Sequence, residues 1–326
     1  MLQLVLNAAA RVFTRTRSIY PPSAWIMEKP CILTTMFGPQ NVYEDFKPCI
    51  EKHFTIIKYE DFVERKEHLA GKIRAIFLFG TDLEVNMELL QALPNLQAVV
   101  NGGVGVDHLD IPLIKSFGMK VCNTPHVVDN ATADLGIALM LASSRRIIEG
   151  HNFSKYHELE YMPKCFGNDV SGATLGIIGM GRIGYKVAKR AQGFDMRILY
   201  HNRNQSLTPQ THKLIGAKEL AMMKPSSTLI NISRGLVVDQ DALVDALKKK
   251  VIRAAALDVT YPEPLPNFVY NVHCYRNHPL LSFPNVIVLP HMGTDTVETI
   301  QAMLEKMVVN TLAVLNGEQP PDEVHV

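Results

Sequence analysis

The chain has 326 residues, more than the roughly 150 typical of one domain, so two domains are the natural expectation. With 47% apolar and 20% charged residues, its composition excludes disorder, collagen and coiled coil. A formal charge of +1 leaves no field to draw nucleic acid or an anionic membrane, and five scattered cysteines, none in C-x-x-C, argue against zinc ribbon and disulfide framework and for a reducing compartment such as the cytoplasm.

Residues 1–26 carry Arg11, Arg15 and Arg17 and no acid behind an apolar start (Leu2, Leu4, Val5, Leu6). This fits either a mitochondrial transit peptide or a disordered leader upstream of a second start at Met27. No apolar stretch approaches the roughly 18 to 20 residues of a spanning helix. From Cys31 onward strands are predicted over 32–35, 54–59, 73–79, 96–101 and 119–122, with helices near 42–52, 61–69, 84–92 and 110–117. Five strands alternating with helices predict an α/β fold with a doubly wound, flavodoxin-like parallel sheet. The apolar spacing of Ala131, Leu135, Leu139 and Leu141 then predicts one long helix over 129–150, with Asn123-Thr124-Pro125 as the boundary before it and Gly150 as its stop.

A buried strand over 174–178 leads at once into Gly179-Met180-Gly181-Arg182-Ile183-Gly184 and a helical run through Val187, Ala188 and Ala191. Strand, glycine turn and helix stand in the order that a dinucleotide site requires. Gly179 permits the tight turn, Gly181 the approach of a pyrophosphate and Gly184 close helix packing, with Arg182 and Ile183 where the phosphates pass. The next strand, 196–200, runs into His201-Asn202-Arg203. An acid there would bind the 2′-hydroxyl of NAD, whereas arginine suits a 2′-phosphate, so NADP(H) is favoured over NAD(H), with Asn202 and Arg203 at the ribose. A solvated loop arginine is the other reading.

Between Tyr200 and Leu229 a full dinucleotide domain needs a third strand, a crossover, and a fourth strand beside the first. One such step takes roughly 30 residues, and the interval cannot hold more than one. A strand–helix–strand block is therefore expected to be absent, exposing the edge of the first strand and truncating the adenosine pocket.

These motifs together resemble the D-isomer-specific 2-hydroxyacid dehydrogenase family, and most of all its glyoxylate/hydroxypyruvate reductase branch. The resemblance runs from about Pro30 to Val326. It rests on Gly103-Val104-Gly105-Val106-Asp107, Asn123-Thr124-Pro125, the glycine turn, Asn231-Ile232-Ser233-Arg234-Gly235, Leu257-Asp258-Val259 through Glu263-Pro264, and Leu289-Pro290-His291. It implies two Rossmann-like domains: a substrate domain of 27–127 completed by 296–326, and an NAD(P)-binding domain of 128–295. It also implies a homodimer built around the long helix.

Reducing a 2-keto acid needs a cation for carboxylate and keto oxygen, a proton donor, and a hydride from a dihydronicotinamide. Arg234 follows an apolar strand (228–232) and, as the family's arginine does, binds the carboxylate. His291 ends another (286–289) and gives the proton. Glu263 orients the ring and raises its pKa. The resemblance implies that the Val104-Gly105 backbone binds substrate and that Ser233 and Asp258 touch the cofactor, Asp258 at the carboxamide, although Asp258 could equally terminate its strand. Arg145 and Arg146 are read as complements of the helix dipole. Asp134 is given no role, and no histidine spacing indicates a metal. The expected function is NADPH-dependent reduction of glyoxylate or hydroxypyruvate. The alternatives are an impaired scaffold that dimerises with an intact relative, or a nucleotide-sensing corepressor. An apolar insertion, Asn267 to Arg276, lies near the Glu263–His291 pair.

Overall fold

The computed structural model describes residues 28–37, 43–80, 83–155, 166–202, 211–263, 265 and 278–325. The leader 1–26, Arg203 and the insertion 267–276 lie outside the described residues.

The first sheet contains β1 (Cys31–Thr34), β2 (Thr55–Lys58), β3 (Ile73–Phe79), β4 (Ala98–Gly102) and β5 (Lys120–Cys122), in the order β2-β1-β3-β4-β5. All pairings are parallel, which is the flavodoxin-like arrangement expected. Both faces are covered, which explains the continuous apolar runs of β3 and β4. Helices α1 (Lys47–Glu51), α2 (Tyr59–Glu64), α3 (Lys66–Leu69), α4 (Met87–Ala92) and α5 (Ile111–Ser116) connect the strands. Leu33 and Ile76 pack on one face with Phe62, Leu90 and Ile114 of these helices. Neighbouring residues Ile32 and Phe77 point the other way, toward Met303, Leu304 and Met307, as the two-residue strand period requires. The chain's tail then covers the sheet edge: the Val324 N–H donates to the Val121 carbonyl at 2.8 Å.

The long helix predicted over 129–150 is instead two helices, α6 (Asp129–Ser144) and α7 (Ile147–Ser154), separated by Arg146 in the left-handed region at φ +53°. The last carbonyls of α6 are taken from outside the helix. The Asn168 N–H donates to Ser144 at 2.8 Å, and Arg253 Nη1 donates to Ser143 at 3.4 Å. A helix end so satisfied gains nothing by continuing. Gly150 lies inside α7 and stops nothing.

The second half carries β6 (Thr174–Ile178), α8 (Arg182–Ala191), β7 (Arg197–His201), α9 (Ala217–Ala221), β8 (Thr228–Asn231), α10 (Gln240–Lys248), β9 (Ala254–Leu257), α11 (Pro279–Ser282) and β10 (Val286–Val288), and α12 (Val297–Leu315) then returns to the first sheet. Its strands form two sheets: β6 with β7, and β10-β9-β8. In a dinucleotide fold one strand stands between those two groups; among the described residues none does. Burial records the break. All four residues of β9 are buried, while β6 alternates between exposed and half-buried, and Ile178 is 59% exposed and Tyr200 67%.

Helix α6 spans the break. At Gly136 the bare helix backbone admits Ile232, just past β8, and Val187 of α8: a Cβ there would stand 2.9 Å from Ile232 Cδ1 and 3.6 Å from Val187 Cγ2. Polar contacts reinforce the α6–α8 seam. Arg182 Nε donates to Asp129 Oδ2 at 3.2 Å, Lys186 Nζ to Asn130 Oδ1 at 2.9 Å, and Arg190 pairs with Asp134. Among the described residues no helix is long and apolar enough to cross a membrane.

Amide hydrogen exchange checks this division. Residues 175–178 of β6 are expected to exchange well ahead of 76–78 of β3, because local opening there costs few buried contacts; equal protection would show that β6 is as firmly held as a central strand.

Candidate active site

Each candidate side chain follows the carboxyl end of a strand. Asn231, the buried last residue of β8, organises the turn after it. Its Nδ2 donates to the Arg234 carbonyl at 2.9 Å, and its Oδ1 accepts from the Ser233 N–H at 3.0 Å and the Ser233 hydroxyl at 2.7 Å. Gly235 lets this turn lie on its neighbour, since a Cβ there would meet the Thr260 carbonyl oxygen at 1.9 Å.

From that turn Arg234 reaches the loop after β4. Its Nε donates to Asp107 Oδ1 at 3.0 Å and its Nη1 to the Ser233 carbonyl at 2.8 Å. Its Nη2 lies 1.4 Å from where a Cβ at Gly105 would be, so a side chain there would push the guanidinium aside. The loop is held from below. Asn101 Nδ2 donates to the Gly105 carbonyl at 2.8 Å, Asn123 Nδ2 to the Val104 carbonyl at 2.8 Å, and the Gly103 N–H to Thr124 Oγ1 at 2.7 Å. Sequence reading assigned no role to Asp107. The signal was an acid two residues past Gly105, but its partner stands 127 residues away.

The second pair is His291 and Glu263. The ring Nδ1 and Glu263 Oε2 are 2.8 Å apart, and Glu263 Oε1 accepts from the Thr260 N–H at 3.1 Å. The hydrogen bond to Glu263 raises the His291 pKa above the ordinary histidine value, helped by the charges of Glu263 and Asp258 and opposed by burial. His291 sits at φ +56°, in the left-handed region. Asp258 secures this strained position. Its carbonyl accepts from the His291 N–H at 2.8 Å, and its carboxylate accepts from the Met292 and Gly293 N–H groups at 2.8 and 3.0 Å. Burial raises the Asp258 pKa against the pull of those two donors. The bonds Asp258 makes here are thus to the His291 loop.

The glycine turn after β6 has the geometry of a phosphate cradle. Gly179 adopts φ +97°. No atom lies within 4 Å of a Cβ built on Gly181, whereas one on Gly184 would meet the Gly179 carbonyl oxygen at 2.3 Å. Space is open above the turn and closed behind it, and Gly181 caps a ten-residue helix, an arrangement that fits a pyrophosphate. Ile183 is half-buried in the first turn of α8; Arg182 turns its side chain to Asp129. Asn202 is exposed just past β7. Among the described residues no three His, Cys, Asp or Glu side chains are grouped to hold a metal.

Replacing Glu263 with Gln is expected to move the His291 titration, followed by the NMR shift of its ring protons, to lower pH. The sign extends to stability. The pair stabilises the fold fully below the ordinary histidine pKa, and this contribution is lost as pH rises through the raised one. An unmoved titration would sever His291 from Glu263.

The profile of the "D-isomer specific 2-hydroxyacid dehydrogenase, NAD binding domain" matches residues 137–207 and 204–293, two pieces that meet just beyond β7, where the sheet divides. A glyoxylate reductase from Thermococcus gammatolerans is 36% identical, covering 91% of this chain and 96% of the relative. That alignment runs over 335 positions, more than the 326 residues present here, so the relative has residues that this chain lacks. A glyoxylate/hydroxypyruvate reductase B from Pectobacterium carotovorum is also 36% identical, covering 86% of this chain and 94% of the relative. Among solved structures, an NADPH-dependent glyoxylate/hydroxypyruvate reductase from Sinorhizobium meliloti in complex with NADP and malonate superposes with a TM-score of 0.77 at 27% identity, covering 91% of this chain and 97% of that one.

Proposed function

Because the chain belongs to the D-isomer-specific 2-hydroxyacid dehydrogenase family, we propose that it reduces a small 2-keto acid, glyoxylate or hydroxypyruvate, to the 2-hydroxy acid, with NADPH as reductant. The observation that carries this reading is the pair of sites on neighbouring loops: Arg234 over Gly105, and His291 bonded to Glu263. When bound, the dihydronicotinamide supplies the hydride. The Gly179, Gly181, Arg182, Ile183 and Gly184 turn would hold its pyrophosphate, with Ser233 and Asp258 toward the reactive end, and the sequence puts Asn202 and Arg203 where the adenosine ribose would lie.

Arg234 and the Val104-Gly105 backbone bind the substrate carboxylate. The guanidinium also faces the keto oxygen and stabilises the negative charge that grows there as the carbon is reduced. His291 gives that oxygen its proton. Glu263 keeps the ring protonated for this direction and fixes Nδ1, leaving Nε2 to donate. The absence of an acid after β7, with Arg203 in the following position, supports NADPH over NADH. In this reading residues 27–127 with 296–326 form the substrate domain and 128–295 the cofactor domain. Two copies pair around α6, a pairing supported by the exposed Ile147, Ile148 and Phe166 near its end.

The divided sheet favours a second reading: a scaffold too damaged to turn over, pairing with an intact relative. Glyoxylate-dependent oxidation of NADPH by the purified chain separates the two. Turnover is expected, and His291→Ala should cut it by roughly 10²–10⁴-fold; a chain folded by circular dichroism yet inert overturns the first reading and leaves the second.

A further inference from the structure

We propose that Asp107 is a positioning residue for substrate binding, which orients the guanidinium of Arg234 so that its two terminal nitrogens face the 2-keto acid. This deepens the reading of the site given above and rests on it for the identity of the ligand. An arginine side chain has many rotamers, and a fork of donors binds a carboxylate in two places only if its plane is fixed beforehand. Two anchors fix it here. Asp107 Oδ1 takes Nε at 3.0 Å and the Ser233 carbonyl takes Nη1 at 2.8 Å. Nη2 is thereby laid against Gly105, where a Cβ would displace it.

Asp107 comes from the better-held side. Its loop is tied to buried Asn101 of β4 and buried Thr124 just past β5, by Asn101 Nδ2 to the Gly105 carbonyl at 2.8 Å and Gly103 N–H to Thr124 Oγ1 at 2.7 Å. Arg234 comes from β8, which pairs with β9 and, among the described residues, with no strand on its other side. The ion pair is about one third exposed on both partners, 33% and 34%, so Coulomb attraction contributes little to stability. Its consequence is orientation. The pair also partly neutralises Arg234, which a group selected purely to attract an anion would not do.

The test uses the full chain and oxalate, a two-carbon dicarboxylate, titrated calorimetrically in the presence of NADPH, alongside glyoxylate turnover. Asp107→Ala removes the acceptor and should weaken oxalate binding and raise the glyoxylate KM about tenfold, leaving the NADPH KM and the pH profile unchanged. Asp107→Asn keeps an oxygen facing Nε and should stay near the wild type. In an Arg234→Lys background, which has no such fork, Asp107→Ala should cost nothing further. The proposal is overturned if oxalate does not bind the wild type, if Asp107→Ala binds it normally, if the loss is as large in Arg234→Lys, or if the NADPH KM rises in parallel. Oxalate binding that depends on Asp107 in a chain without turnover would instead leave this inference standing and reject the reductase reading.

Discussion

The packing of α6 against both parts of a divided sheet is the constraint on which the second half of the structure depends. Parallel strands gain cooperativity from neighbours on both sides, and among the described residues β6 and β8 each have a neighbour on one side only. What joins them is a helix face. Gly136 of α6 admits Ile232 and Val187 together, and Asp129, Asn130 and Asp134 bind Arg182, Lys186 and Arg190 along the seam with α8. Arg190–Asp134 is an exposed pair of the kind worth little singly, whereas Asp129 is buried beneath Arg182, so the apolar closure at Gly136 and the Asp129 end of the ladder together fix the register.

The site follows from that arrangement. Ile232, which touches α6, is followed at once by Ser233 and Arg234, so the helix that spans the sheet break also sets the turn that aims the guanidinium. The Arg234 contact to Asp107 and Gly105 then ties this turn to the first sheet, whose central strands β1, β3 and β4 are largely buried. His291 depends on a separate device. Its left-handed backbone is unfavourable for a non-glycine residue, and the Asp258 carboxylate offsets the cost by collecting the next two N–H groups. The His291–Glu263 pair and the Arg234 turn are thus supported by different parts of the fold.

Much of this was legible in the residues. The first sheet could be read from apolar runs because strands buried on both faces must be continuously apolar, and its strand ends differ from expectation by a residue or two, as fraying termini do, whereas the helices expected near 42–52 and 84–92 begin later, at Lys47 and Met87, and the one expected near 61–69 is two, α2 and α3. The divided sheet was legible from length alone, since 26 residues between His201 and Thr228 cannot hold more than one βαβ step of roughly 30. Two features were not legible. The break between α6 and α7 is made by Asn168 and Arg253, donors far along the chain that leave no periodic trace near Ser144. Asp107 looked like one more residue of a glycine loop, because its partner is fixed only when β4 and β8 are brought together. Asp258 lay between these cases: a strand-end acid was visible, but not that both of its oxygens hold the turn after His291.

If α6 and the glycine turn suffice to hold a nicotinamide cofactor, with no strand between β6 and β8 among the described residues, the full chain binds NADPH on its own. Fluorescence titration of the purified full chain with NADPH tests it most directly. The account predicts saturable binding that is weakened by replacing Gly181 with a bulky residue, since open space at that position is what the pyrophosphate needs. A folded chain that leaves NADPH free across the titration would contradict it.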